Sequence, residues 1–126
     1  MNLIRQTIRH SLEGDDLHDL AVYLAERILS KRKPKVILWS PEKRNAFREK
    51  AQYPGLPDIV YDYKENGGFY TYVVEIETAL TPQKMERKCQ QFRAPWVTDV
   101  IFIDLRELQN EKSWIEIENL IRRSLP

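Results

Sequence analysis

A single cysteine, Cys89, stands among 126 residues. No intrachain disulfide can form, and no cysteine cluster can hold zinc. No apolar run approaches the 18 or more residues of a membrane-spanning helix. The first ten residues, MNLIRQTIRH, are too polar for the apolar core of a signal peptide, so an intracellular protein without a membrane partner is expected. Repeats and low-complexity tracts are missing as well. An excess of one charge is also absent: the formal net charge is +1, so the chain is not a general polycation. With 42% apolar and 31% charged residues, the composition is that of a folded chain, and its length suits one domain spanning residues 1–126.

Balanced charge does not mean evenly spread charge. Basic residues gather at Lys31, Arg32, Lys33 and Lys35, at Lys43, Arg44, Arg48 and Lys50, and at Lys84, Arg87, Lys88 and Arg93. Screening confines such interactions to roughly 10 Å, so a local patch can hold phosphate whatever the total charge. Any one cluster taken alone also reads as an ordinary solvated face.

Periodicity places the elements. Gly14–Lys33 has a helical stripe of Leu17, Leu20, Ala21, Leu24 and Ile28, with Asp15 and Asp16 at its start and Pro34 after it. A short helix before Gly14 is a weaker expectation. Lys35–Trp39 is a short β-rich run. The stretch from Pro41 to about Tyr53 is polar and reads as irregular, with a helical turn at most. Asp58–Tyr63 and Phe69–Glu77 form a hairpin around Asn66-Gly67, residues that accept positive φ. Thr81 caps a helix that runs to about Arg93, with Met85, Cys89 and Phe92 as its apolar stripe. Val97–Ile103 reads as a buried strand, and Asn110–Ser124 as a helix with Trp114, Ile117, Leu120 and Ile121 inward. The order α-β-β-β-α-β-α predicts an α/β fold: a mixed sheet flanked by helices, with a hairpin in the sheet and a helix crossing to a further strand.

The chemistry gathers on the hairpin. Strand side chains alternate between faces, so Val73, Glu75 and Glu77 share one face. A turn centred on Asn66-Gly67 sets Asp58 opposite Glu75, where Cβ atoms lie about 4.5–5.5 Å apart. Three carboxylates from two strands then converge. Unpaired buried carboxylates are costly, so the group must reach water or meet a cation. Hard oxygen donors of this kind suit Mg²⁺ or Mn²⁺. The plain alternative is a set of solvated acids at strand ends.

Pro57-Asp58, a hairpin, and then Glu75-Ile76-Glu77 resemble the signature of the PD-(D/E)xK nuclease superfamily, which includes restriction endonucleases and Holliday-junction resolvases. The resemblance covers the element order from about Gly14 to Ile103. It implies a restriction-endonuclease-like fold and a Mg²⁺-dependent (or Mn²⁺-dependent) nuclease that hydrolyses phosphodiester bonds in DNA. Asp58 and Glu75 fall on the two acids of the motif, and Glu77 stands where the family usually carries lysine. An ExE version occurs in active restriction enzymes of the group. The resemblance also implies that a lysine or glutamine can reach the site from the following helix. Lys84, Lys88 and Gln91 flank the stripe of that helix at i, i+4 and i+7, with Lys88 and Gln91 the leading candidates.

Catalysis is therefore expected at Asp58, Glu75, Glu77 and Lys88, metal ligation at Asp58, Glu75 and Glu77, and nucleic-acid contact at Lys84, Lys88, Gln91 and His18. His18 lies at the edge of the apolar face of the first helix, where it either points towards the site or packs as a structural histidine. Glu26, the obvious acid of that helix, lies about 180° from Leu17, away from the core. Tyr70, Tyr72 and Trp114 are expected to pack. Trp96 and Tyr53 either pack in loops or stack on bases. Cutting both strands of a duplex needs two sites, so a homodimer is expected on the nuclease reading. Two other readings stay open: a non-catalytic DNA-binding module on the same fold, and an interaction protein whose acidic hairpin does no chemistry.

Overall fold

The first long helix, α1 (Gly14–Ser30), forms because its apolar residues repeat on one side. Leu17, Ala21, Leu24, Ala25, Ile28 and Leu29 are all buried. This is the computed structural model of the chain, and it describes residues 14–51, 56–107 and 114–126. The segment before Gly14, Tyr53, the start of the last helix at Asn110 and the side chain of Trp114 lie outside the described residues. α1 ends three residues earlier than the sequence suggests. After Ser30 the backbone bonds tighten, with Arg32 N donating to Leu29 O and Lys35 N to Arg32 O. The residue before a proline is pushed out of helical geometry, so Lys33 cannot continue the helix into Pro34.

The remaining elements are β1 (Val36–Leu38), α2 (Pro41–Ala51), β2 (Ile59–Glu65), β3 (Gly68–Glu77), α3 (Pro82–Gln91), β4 (Asp99–Asp104), a 3₁₀ turn (Leu105–Glu107) and α4 (Trp114–Ser124). The expected order lacked α2, and the stretch taken as irregular is an 11-residue helix. Its start is locally encoded. The Ser40 hydroxyl accepts the Lys43 N–H, the Ser40 carbonyl accepts the Arg44 N–H, and Pro41 takes the first helical position.

The four strands make one mixed sheet in the order β1-β2-β3-β4. β1 with β2 and β2 with β3 are antiparallel, while β4 joins β3 in parallel through the α3 crossover. The hairpin register is the one its turn dictates. Tyr63 faces Tyr70 and Ile59 faces Val74, so Asp58, one residue before β2, is level with Glu75. Asn66 (φ 50°) and Gly67 (φ 79°) both take positive φ, the geometry that matches the twist of a two-residue hairpin. A Cβ built on Gly67 meets nothing within 4 Å. The cost of Gly67→Ala is then backbone conformation alone, about 1 kcal/mol. A urea-unfolding midpoint unchanged from wild type would show that the turn relaxes instead.

One sheet face packs on α1 and α4. Ile59, Tyr61, Val74, Ile76 and Ile103 meet Leu17, Leu24, Ile28, Ile117, Leu120 and Ile121 in the main core. Each fully buried Leu or Ile there contributes roughly 1.5–3 kcal/mol by transfer from water. The opposite face carries a smaller cluster of Val60, Val73 and Phe92, with Trp39, Val97 and Val100 packed against it. This is the face of Glu75 and Glu77. Helix α3 has no buried residue, and Met85 and Cys89 are exposed, which corrects the expected apolar stripe: only Phe92, at its C-cap, is anchored. β4 is less buried than its sequence suggests, with only Ile103 fully covered, because it lies at the sheet edge. Tyr72 is half-buried against the main core, but Tyr70, expected to pack, is exposed near the hairpin tip. No helix among the described residues is long and apolar enough to cross a membrane.

Candidate functional site

β3 is exposed at its tip and buried at its foot, from Val73 through Glu77. Glu75 keeps only 2% of its surface exposed and Glu77 8%; no other charged residue is buried among those described. Side chains continue the hairpin ladder beyond its last backbone pair. The Asp58 N–H donates to Glu75 Oε2 at 2.8 Å, and the Ile76 N–H donates to Asp58 Oδ2 at 2.8 Å. Each carboxylate is thus pinned by the backbone of the opposite strand. Arg44 Nη1 of α2 donates to the Asp58 carbonyl at 2.6 Å, clamping the bend that presents this acid.

Cations arrive from both sides. His18 of α1 places Nε2 3.1 Å from Asp58 Oδ2. Lys88 of α3 donates to Glu75 Oε1 at 3.0 Å and also bonds Glu77 Oε1. Lys84, one turn earlier, has Nζ 3.6 Å from Glu77 Oε2 and donates to the Ala79 carbonyl. Thr81 caps α3 by accepting the Lys84 N–H, and this cap fixes the helix start from which both lysines project.

Three carboxylates therefore face two ammonium groups and one imidazole. Burial, then the neighbouring Asp58 charge, pushes Glu75 up to about 7, against the opposing pull of the Asp58 amide and Lys88. Burial alone would lower His18, but the charge and hydrogen bond of Asp58 outweigh it and raise its pKa. Lys88 likewise rises, because its bonds to Glu77 and Glu75 overcome desolvation.

The structure brings together Asp58, Glu75, Glu77, Lys88, Lys84 and His18. Gln91 is half-buried at the end of α3 and makes no hydrogen bond to these acids among the described residues. Among the described residues, no hydrogen bond or ion pair joins Glu26 to the group. Two features escaped the sequence reading. Arg44 was visible only as part of a basic cluster; recognising Ser40-Pro41 as a helix start would have placed it one turn into α2. Asp62, which binds Trp39 and Thr71 further along the same sheet face, carried no signal beyond strand alternation.

Among the described residues, no group of three or more His, Cys, Asp and Glu is spaced to cage an ion. Lys88 bridges two of the three acids. The donor chemistry still fits a hard divalent ion, since Mg²⁺ keeps several waters and needs only one or two protein carboxylates. Asp58 and Glu75 would supply such a pair, level with one another across the hairpin. Comparison with protein-family models, with curated proteins and with solved structures finds no match to the chain.

Proposed function

We propose that the chain is a metal-dependent deoxyribonuclease of restriction-endonuclease-like fold, in which the lysine of the catalytic group comes from helix α3 rather than from the strand. One observation carries this reading: Lys88 Nζ lies 3.0 Å from Glu75 Oε1 and bonds Glu77, beside Asp58. Two acids and a lysine thus meet in space although the motif position after Ile76 holds glutamate.

Asp58 and Glu75 would hold Mg²⁺ or Mn²⁺, with Glu77 at its margin. When bound, such an ion neutralises charge developing on a phosphate and lowers the pKa of water. Glu77 would accept the proton of the attacking water. Lys88 turns its ammonium from the acids to a phosphate oxygen, and Lys84 holds the next phosphate. His18 fixes the Asp58 carboxylate. DNA is the substrate on this reading, and double-strand cutting would take two copies of the chain.

The test is cleavage of labelled single-stranded, duplex and branched DNA in Mg²⁺ or Mn²⁺. Asp58→Ala and Glu75→Ala should each lower the rate on the order of 10³-fold, the several kcal/mol that a catalytic ion supplies. Cleavage that survives both changes would place the chemistry elsewhere.

A second reading draws on the same lysine. Lys88 already pairs with both Glu75 and Glu77, and no three-donor cage is formed among the described residues. That arrangement favours a DNA-binding module without catalysis, which would bind in a salt-sensitive way and cleave in no metal.

A further inference from the structure

Helix α3 meets the carboxylates without the apolar seam that seats α1 and α4. None of its residues from Pro82 to Gln91 is buried, although Leu80 before it and Phe92 after it both are. The chain is thus pinned at two apolar anchors, and the helix between them is held by charge. Lys88 lies 3.0 Å from Glu75 and also pairs with Glu77, while Lys84 lies 3.6 Å from Glu77. Lys84 also donates to the Ala79 carbonyl, and Arg106 to the Leu80 carbonyl, so the entry to the helix is tied down separately.

These ion pairs work in both directions. Lys84 and Lys88 stand one turn apart on the helix, where like charges repel. Glu75 and Glu77 share one face of β3, two residues apart, and repel in the same way. Each pair is relieved by the other. A ten-residue helix is marginal on propensity alone, so α3 depends on these contacts for its helical state as well as for its position. The Thr81 cap secures only the first turn.

The same helix stands in the way of the acids. Glu75 is 2% exposed, and both its oxygens are occupied, Oε2 by the Asp58 N–H at 2.8 Å and Oε1 by Lys88. A divalent ion that keeps several of its waters cannot reach so closed a carboxylate while every neighbour stays in place. The sheet beneath is held by fully buried Val60 and Val73, and α1 by its Leu17 and Leu24 stripe, so moving either would return apolar surface to water. Helix α3, whose Lys88 bonds Glu75 directly, has no buried residue to pull out. We infer that α3 is a lid latched shut by Lys84 and Lys88, and that it opens when a divalent ion takes the carboxylates from them. The second half rests on the metal reading. In the closed form Lys88 fills the place of the ion, so the contact is self-inhibitory. Opening uncovers Glu75 and Glu77 and frees two ammonium groups for phosphate.

Hydrogen exchange of the whole chain, read by mass spectrometry on α3 and α1 peptides, tests this without any cleavage. In Lys84→Met/Lys88→Met, α3 amides should exchange about 5- to 30-fold faster than in wild type, beyond any change shared with α1. Equal loss in both helices, or none in α3, overturns the latch. Where the double variant fails to fold, Lys84→Met, which leaves Lys88 with both acids, should show the same loss confined to α3 in smaller measure, and its absence overturns the latch equally. In wild type, saturating Mg²⁺ should speed α3 exchange while α1 becomes better protected, the reverse of what a ligand does to an element it merely covers. Mg²⁺ that binds by calorimetry yet leaves α3 unchanged, or protects it, overturns the opening and keeps the metal site. Absence of any Mg²⁺ binding removes the metal reading and the opening with it, and the lysine variants then decide the latch alone.

Discussion

Glu75→Gln should make the protein more stable at pH 8 and, on the proposed metal reading, abolish Mn²⁺ binding. Glutamate in an unfolded chain titrates near 4.5, whereas folded Glu75 titrates at about 7 because burial and then the Asp58 charge disfavour its ionised form. Between those values the folded protein holds a proton that the unfolded chain has released. Stability therefore falls as pH rises from 4.5 to 7, and the full cost is present above 7. A shift of that size corresponds to about 3 kcal/mol, from which the lost bond to Lys88 must be subtracted. The net gain expected for glutamine is about 1–2 kcal/mol, or roughly 3–8 °C in Tm. Glutamine keeps an oxygen for the Asp58 N–H, and Lys88 keeps Glu77, so the exchange leaves no buried ion alone. His18 has the same sign: its raised pKa gives stability that is present below 6.5 and lost as pH rises through its folded value. The variant should thus retain a shallower decline around neutrality. Thermal melts from pH 4 to 9, with and without Mn²⁺, read all of this. Wild type should gain Tm with Mn²⁺, by about 2.7 kcal/mol at a hundredfold excess over Kd, and the variant should gain nothing. A variant less stable than wild type at pH 8 would mean that Glu75 is a contented structural ion-pair partner, and the case for a site held under strain would go with it.

The hairpin could be read from sequence because its register follows from local chemistry. Asn66-Gly67 takes positive φ at both positions, the turn fixes the pairing, and Asp58 comes level with Glu75. The capped start of α3 and the inner face of α1 were legible for similar reasons, since caps and 3.6-residue stripes act within a few residues. The misreadings share a different cause. Periodicity shows that Met85, Cys89 and Phe92 lie on one side of α3, but not that this side is left mostly uncovered. Helix α2 has almost no apolar residues to announce it, and only Ser40-Pro41 marks its start. Lys88 was visible as a residue flanking a stripe. Which acids it meets depends on how the α3 crossover lies over β3, and no local signal carries that angle. Arg44 reaches the Asp58 carbonyl across fourteen positions of sequence and was legible only as positive charge.

Lys88→Met should weaken the fold, tighten Mn²⁺ binding and slow cleavage, and the three effects have separate origins. Lys88 is partly exposed, yet it is the shared cation of the nearly buried Glu75 and of Glu77. Removing it strands two carboxylates, with only Lys84 near Glu77 at 3.6 Å. The expected loss is about 2 kcal/mol, less than for a fully buried pair because water can still reach the site. The same ammonium competes with any divalent ion for the acids. Without it, Mn²⁺ affinity measured by calorimetry should rise about tenfold, a difference of about 1.4 kcal/mol. On the proposed nuclease reading, cleavage should nonetheless fall about 10²- to 10³-fold, because Lys88 would no longer bring positive charge to the phosphate in the transition state. Lys88→Arg, which keeps the charge in a different shape, should restore the stability before it restores the rate. Tighter Mn²⁺ binding with undiminished cleavage would reduce Lys88 to a counter-ion that holds Glu75 and Glu77 together until metal arrives. Weaker Mn²⁺ binding would show that Lys88 and the ion do not contend for the same oxygens, and Glu75 would then have no claim to be a ligand. Three acids share two lysines and one imidazole, and Glu75 has Lys88 as its one ammonium partner among the described residues, so removing Lys88 gives each of these outcomes a distinct reading.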